Sequence, residues 1–195
     1  MYWTALVVLA IILTSWGYIG QIKKIQQLKS GQSVSVLWMI SALASSLGVL
    51  IYGAAQQDKL FTLNAFVCSF LQICILVVLF KYKGLKQWER VVCTVYAALL
   101  IWTIVTPHKD VAILYNMVMN AFCTLTQPAE IGFEKKVGAL DISMLVKFCI
   151  SAFALATYSW SHGYKSPILA YAGFGVFMLF QICQWLFVRF WARSS

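Results

Sequence analysis

About seven long apolar stretches run through this chain, and their length constrains its fold more than any other feature. Each holds about 18–24 residues, which a helix rising ~1.5 Å per residue needs to cross ~30 Å of hydrocarbon. Backbone polar groups in lipid must bond within their own segment, which favours helices. The alternation over about ten residues that is typical of membrane barrel strands is not found. The sequence therefore predicts an all-α membrane protein with seven transmembrane helices.

The predicted helices are separated by short polar segments. They cover residues 2–25, 33–56, 60–82, 88–106, 110–133, 140–160 and 166–191. Only 11% of the residues are charged and 62% are hydrophobic, whereas soluble domains carry about 25% charged residues. Too little polar surface exists to coat a water-soluble globule, so the lipid bilayer is the expected surrounding.

The distribution of basic residues predicts how the chain is oriented. The net charge is +9, but lysines and arginines are scattered over short loops, so a solvated basic domain for nucleic acid is not expected. The loops after helices one and three and the C-terminus are basic, whereas the opposite loops are nearly neutral. By the positive-inside rule, the N-terminus is outside and the C-terminus is cytoplasmic. Short loops without sorting tails favour a bacterial inner membrane.

The reactive side chains indicate neither a metal centre nor an enzyme. All six cysteines fall inside apolar stretches without a Cys-x-x-Cys pair, and His108 and His162 are far apart. No Ser-His-Asp set, His-Glu-x-x-His motif, paired carboxylates or glycine-rich phosphate loop is present. We expect no metal, no cofactor and no catalytic residues.

An internal repeat is visible. Gln-Ile-Cys occurs at 72–74 and again 109 residues later at 181–183. An offset of 108 places Ser35 opposite Ser143 and Gly20-Gln21 opposite Pro128-Ala129. This predicts a three-helix unit at 1–84, a linker helix at 85–107 and a second three-helix unit at 108–195. A single linker helix leaves the two units in parallel orientation, with a cavity on the axis between them.

Breakers occur at matching places in the two units. Gly20 with Gln21 in the first unit and Pro128 in the second weaken the helix that contains them. Paired interruptions of this kind point to a transport site whose helices bend. Static kinks are the alternative.

At these positions the chain resembles the PQ-loop repeat family, which includes SWEET and SemiSWEET sugar transporters and the lysosomal cystine and cationic amino-acid exporters. The resemblance covers nearly the whole chain. Its residues are Gly17-Tyr18-Ile19-Gly20-Gln21-Ile22-Lys23-Lys24, Lys29-Ser30 and Ser33-Val34-Ser35, then Thr126-Gln127-Pro128-Ala129, Glu134-Lys135-Lys136 and Ile142-Ser143. The family's Pro-Gln pair is Gly20-Gln21 in one copy and Pro128-Ala129 in the other. The resemblance implies a 3+1+3 alternating-access carrier with hinges at Gly20, Gln21 and Pro128.

Amide side chains supply the candidate pocket. Asn64, Cys68 and Gln72 follow one another at steps of four and share a helix face. Amides donate and accept hydrogen bonds without the cost of a buried charge, which suits an uncharged polar solute. The resemblance implies a substrate-binding role for Asn64, whereas the second copy has Gly173 there, with Tyr171 nearby. Gln72 and Gln181 fit either the pocket or bonds between helices.

Other candidate residues lie on helices two, five and six. Trp38 and Ser45 share a face on helix two, where the Trp ring can stack on a sugar and the Ser can equally serve close packing. Lys147 lies inside helix six, where it meets an anionic group or extends to the interface. Glu130 is a candidate for proton uptake or for simple loop solvation.

These features predict a carrier for a small polar solute, a sugar before others, working by facilitated diffusion. Proton-coupled exporters that the chain resembles carry an Asp within the helices after their Pro-Gln motifs, whereas here only Asp141 stands at the mouth of helix six. One alternative is an exporter of amino acids or other charged metabolites, with or without proton coupling. The other is a membrane scaffold or accessory protein that transports nothing. The sequence is also compatible with a homo-oligomer.

Overall fold

The chain folds into a bundle of long helices, which a computed structural model describes for residues 2–127 and 139–194. In this part of the chain there are seven helices of 16 residues or more. They are α1 (Tyr2–Leu28), α2 (Val36–Ala55), α3 (Lys59–Tyr82), α4 (Gln87–Val105), α5 (Lys109–Thr124), α6 (Ile142–Ser161) and α7 (Lys165–Ser194). Six of the predicted helices agree with these bounds within about three residues. The fifth prediction covered 110–133 with an interruption at Pro128; α5 ends at Thr124, and residues 128–133 lie outside the described part of the chain.

Five of the described helices, α1, α2, α3, α6 and α7, are long and apolar enough to cross a membrane. Their outer surfaces are apolar: Phe66, Phe70 and Val77 of α3 are each more than half exposed. Such a surface is stable against lipid and not against water. The protein is therefore an integral, multi-pass membrane protein. Crossing by α4 and α5 stays a prediction, since the 16 residues of α5 span only ~24 Å.

Polar residues between the apolar stretches define where the helices begin. The Ser35 hydroxyl accepts a bond from Trp38 N and starts α2. The Asp58 carboxylate accepts bonds from two backbone amides of α3, and Asp141 accepts one from the first turn of α6. Each cap satisfies an amide that the helix itself leaves unbonded. The loops before α2, α3 and α6 therefore each end at a capping side chain that directly precedes the helix.

The helices pack around two large apolar clusters, and a smaller third one, with Leu37 and Tyr96, joins α2 to α4. α1 contacts α3 and α6, α2 contacts α3, α4 and α5, and α7 contacts α5 and α6. One cluster, with Trp38 and Leu145, lies where α2 and α6 begin. The other, with Tyr52 and Tyr158, lies where these two helices end. Members of both clusters, Trp38 of the first and Val49 of the second, line the central cavity described below.

Corresponding helices differ by a constant number of residues. The start of α6 follows the start of α2 by 106 residues, and the start of α7 follows that of α3 by the same 106. Two hydrogen bonds share this offset: Ser45 Oγ donates to Asn116 O at 3.2 Å, and Ser151 Oγ donates to Ala10 O at 3.3 Å. The sequence match at 108 and 109 thus differs from the spatial register by two to three residues. Three residues is close to one helical turn. The Gln-Ile-Cys match therefore pairs residues on corresponding helix faces that lie about one turn apart along the helix.

In the register of 106, the sequence-predicted pairs change partners. Gly20-Gln21 corresponds to Thr126-Gln127 and not to Pro128-Ala129. Asn64 corresponds to Ala170 in place of Gly173. A glutamine therefore occupies the same place in both halves of the chain, a match that the offset of 108 concealed.

A glycine allows the close approach of α2 and α3. A Cβ on Gly53 would lie 2.8 Å from Thr62 Oγ1 and 3.1 Å from Thr62 N, whereas a Cβ on Gly173 of α7 would meet nothing within 4 Å. We expect Gly53→Ala to lower the free energy of unfolding by about 1–3 kcal/mol through overpacking. Gly173→Ala should raise it by up to ~1 kcal/mol through helix propensity. Thermal unfolding of both variants in detergent measures this difference, and equal gains would contradict the close approach.

Candidate functional site

A cavity of about 280 Å³ lies at the centre of the bundle. Residues from α1, α2, α3, α5, α6 and α7 line it. The polar members are Thr14, Tyr18, Trp38, Ser45, Ser46, Asn64, Cys68, Gln72, Asn120, Thr124, Ser151 and Tyr171. Among the described residues, no Asp, Glu, Lys, Arg or His side chain is part of this lining. The cavity therefore suits an uncharged solute, since an ion would lose its hydration without a counter-charge.

Five of the sequence-predicted binding residues line this cavity. Trp38 and Ser45 come from α2, Asn64 and Gln72 from α3, and Tyr171 from α7. Asn64 is 2% exposed, and within the described residues its Oδ1 receives one long contact, of 3.9 Å, from the Cys68 thiol. Such a sulfur contact is weak, so the Asn64 amide keeps bonding capacity for a solute.

Two polar atoms of the lining are buried without a partner. Gln72 donates through Nε2 to the Tyr18 hydroxyl, which orients its amide. Within the described part of the chain, Gln72 Oε1 and Trp38 Nε1 have no hydrogen-bond partner. An unsatisfied buried polar atom costs about 1–3 kcal/mol, so a bound solute that pairs with it gains this energy back. Both atoms are covered by protein even on the cavity side, so a solute reaches them only if the Gln72 amide or the Trp38 ring turns.

Gln181 and Lys147, also predicted as binding residues, do not line the cavity. Gln181 donates through Nε2 to Thr124 O at 3.3 Å and joins α7 to α5. Lys147 donates through Nζ to Ser143 Oγ at 2.7 Å, one turn back toward the start of α6, and lies 5.9 Å from the Trp16 ring centroid. The first geometry fits the interhelical alternative, and the second fits extension toward the interface.

At the end where α2 and α6 begin, two glutamines bridge the halves of the chain. Gln21 donates to Ala139 O at 2.6 Å and accepts from Asp141 N at 2.8 Å. Gln127 donates to Ser33 O at 2.6 Å and accepts from Ser35 N at 2.8 Å. We call these four bonds the glutamine bridges. All their partners differ by 106 residues, so each half holds the other in the same way and the cavity is closed at this end.

At the opposite end of the bundle, Asp58 joins the two halves. Its Oδ2 accepts bonds from the hydroxyls of Tyr158, at 2.7 Å, and Tyr164, at 3.1 Å. Burial raises the pKa of the Tyr164 hydroxyl, and the Asp58 carboxylate raises this pKa further, so the hydroxyl stays protonated and donates. The rings of Tyr52 and Phe61 pack edge to face beside these residues. This Asp58 cluster, Asp58 with Tyr158 and Tyr164, closes the second end of the cavity.

Of the predicted hinge and proton-linked residues, the structure describes Gly20 and Gln21. α1 continues without a break through Gly20 and Gln21. A Cβ on Gly20 would lie 3.1 Å from Asp141 Oδ2, so this glycine permits close contact with the start of α6. Pro128 and Glu130 lie outside the described residues. Bending at Gly20, Gln21 and Pro128 stays a prediction.

Sequence reasoning missed several lining residues. Tyr18 orients Gln72, and Asn120 accepts a bond from the Ser41 hydroxyl at 2.9 Å. Ser151 corresponds to Ser45 at the offset of 106, and it also lines the cavity. The offset of 106 is the signal that identifies Ser151, since it transfers Ser45 to this position. In the ranges 2–127 and 139–194, no three His, Cys, Asp or Glu side chains are close enough to share a metal ion.

The long apolar helices define a multi-pass helical membrane protein. At its centre is a chamber of the size of a small solute, lined by amide and aromatic side chains. In fold the chain is similar to a eukaryotic SWEET transporter of known structure, with a TM-score of 0.62 over 97% of this chain and 99% of that chain. The two sequences are 11% identical, so the likeness concerns the fold alone. No protein-family model matches the chain, and no curated protein matches it in sequence.

Proposed function

We propose that this protein is a carrier that moves a small uncharged polar solute, a sugar before other candidates, by alternating access without proton coupling. The observation that carries this proposal is a central chamber whose described lining holds no charged side chain, with bonds between the two halves at both ends. A carrier needs two such closures, because each must open while the other holds. The SWEET-like fold supports the same function.

The proposed organisation is two parallel three-helix repeats, at 1–84 and 108–195, joined by a linker helix at 85–107. The constant offset of 106 in helix starts and in the reciprocal bonds supports it. The proposed orientation has the N-terminus outside and the C-terminus in the cytoplasm of a bacterial inner membrane. The basic residues in the loops after α1 and α3 support this orientation. The glutamine bridges then close the cytoplasmic end and the Asp58 cluster closes the outer end.

Asn64, Gln72, Trp38, Ser45 and Tyr171 are the proposed solute-binding residues. Their amide, indole and hydroxyl groups bond hydroxyls, and the aromatic faces stack on a sugar ring. An exporter of charged metabolites finds less support, because Lys147 bonds within its own helix and not in the cavity.

Uptake into liposomes tests this function. Purified protein reconstituted with radiolabelled sugars should show saturable uptake without an imposed pH gradient. Asn64→Ala should lower that uptake about tenfold, the effect of losing one buried hydrogen bond of about 1.4 kcal/mol. Phe66→Ala on the exposed face of the same helix is the matched control and should leave uptake unchanged.

Three results would contradict the proposal. Uptake that equals empty liposomes for every sugar and amino acid would favour the scaffold function. Uptake that requires a pH gradient would contradict the uncoupled mechanism. Equal losses in Asn64→Ala and Phe66→Ala would remove Asn64 from the site.

A further inference from the structure

The central cavity has a mouth in its side wall, between α5 and α7. Leu114 and Val118 of α5 line the cavity, and so does Leu169 of α7. These side chains are also 41%, 46% and 70% exposed at the outside of the bundle. A side chain that both lines a cavity and is exposed outside must stand at an opening. Gly173 of α7 also lines the cavity, and its missing side chain keeps the space there open.

Among the described lining residues, those that are exposed all belong to α5 and α7. In the register of 106, Leu114, Val118 and Leu169 correspond to Val8, Ile12 and Leu63 of α1 and α3. Those residues are 43%, 49% and 50% exposed, yet they do not line the cavity. A bond joins the two helices in each wall, from Gln72 to the Tyr18 hydroxyl between α1 and α3 and from Gln181 to Thr124 O between α5 and α7. Exposure alone therefore does not produce a mouth, and the two halves differ in this respect.

The mouth has the chemistry of the bilayer interior. As far as the rim is described, it consists of Leu114, Val118, Leu169 and Gly173, which present no polar side-chain atom to lipid. The rest of the cavity lining carries polar side chains, among them Asn64, Ser45 and Asn120. The cavity itself, at about 280 Å³, is at the small end of ligand pockets, which span ~300–1,000 Å³. A cavity of this size holds the polar head group of a ligand. If that ligand also has a long apolar chain, the chain has to extend through the mouth.

We propose that the solute is an uncharged amphiphile whose hydroxyl-bearing head occupies the cavity and whose alkyl chain lies in the crevice between α5 and α7, facing lipid. This inference rests on the proposed carrier function and names its substrate class. The head bonds the polar side chains of the lining, above all the Asn64 amide. The chain leaves water for an apolar crevice, which stabilises binding by ~0.8 kcal/mol for each methylene buried.

Binding of alkyl β-glucosides tests the inference. The full-length protein in nanodiscs is titrated with tritium-labelled methyl, butyl and hexyl β-glucoside, and the uptake by empty nanodiscs is subtracted to remove partitioning into lipid. Affinity should rise about fourfold for each methylene that the crevice buries. Gly173→Phe places a ring in the mouth and should abolish this rise while methyl glucoside still binds. Val67→Phe, at the corresponding position of α3, should keep it.

The outcomes separate this inference from the carrier function. A rise with chain length in the parent and in Val67→Phe, lost in Gly173→Phe, supports the crevice. An equal rise in all three proteins, or none in the parent, overturns it. If methyl glucoside binds and is taken up by liposomes in either of those cases, the carrier function stands. If no glucoside of any length binds or is transported, both proposals fail.

Discussion

Gln127→Leu is expected to lower the free energy of unfolding by about 2–4 kcal/mol. The leucine removes two buried bonds, one to Ser33 O and one to Ser35 N, and the loss of each such bond costs about 1–3 kcal/mol. Gln21→Leu should cause a loss of similar size, because its two bonds are the counterparts in the other half. Thermal unfolding in a mild detergent, with the midpoint compared with that of the parent, measures both.

Gln26→Leu is the matched control for the glutamine bridges. Gln26 lies on α1 as Gln21 does, but its side chain is exposed, so the same substitution should change stability by less than ~0.5 kcal/mol. If Gln127→Leu behaves like Gln26→Leu, the bridges do not hold the two halves together. In transport, weaker bridges should favour the state open at this end, by about tenfold for each 1.4 kcal/mol.

Asp58→Ala is expected to lower the free energy of unfolding by about 3 kcal/mol. Losing the cap of α3 costs ~1 kcal/mol. The remainder comes from Tyr158 and Tyr164, whose hydroxyls lose the carboxylate as acceptor. Because the Asp58 cluster closes the end opposite the glutamine bridges, its loss should favour the state open at that opposite end.

A double-mutant cycle separates the cap from the closure. Tyr158→Phe removes one bond between the halves and leaves the cap of α3 in place. Asp58→Ala should therefore cost less in the Tyr158→Phe background than in the parent, by the energy of that bond. Strict additivity of the two losses, measured by thermal unfolding, would show that the carboxylate and this hydroxyl do not interact.

The helices could be predicted because their signals are local. Apolar length, set by bilayer thickness, places α2 and α3 within about three residues, and Ser35 and Asp58 mark their starts. The register between the halves could not be predicted in the same way. Apolar helices are built from few residue types. A short match such as Gln-Ile-Cys can therefore arise one turn away from the true correspondence, on the same helix face.

The candidate site was partly predictable for the same reason. Steps of four place Asn64 and Gln72 on one face of α3, and both line the cavity. Little along the chain distinguishes Gln72 from Gln181: Ile and Cys follow both, but Gln181 bonds to Thr124 O and does not line the cavity. Tyr18 was missed because its partner is 54 residues away.

The amino-acid sequence by itself determined that this protein is helical and crosses the membrane, because hydropathy and length act within one segment. The tertiary structure alone decided which polar groups meet. Gln21 finds its partner 118 residues away and Gln127 finds its own 92 residues away. The mouth between α5 and α7 likewise depends on how far apart two helices stand. Such distances follow from packing among many side chains at once, and no single stretch of sequence contains that information.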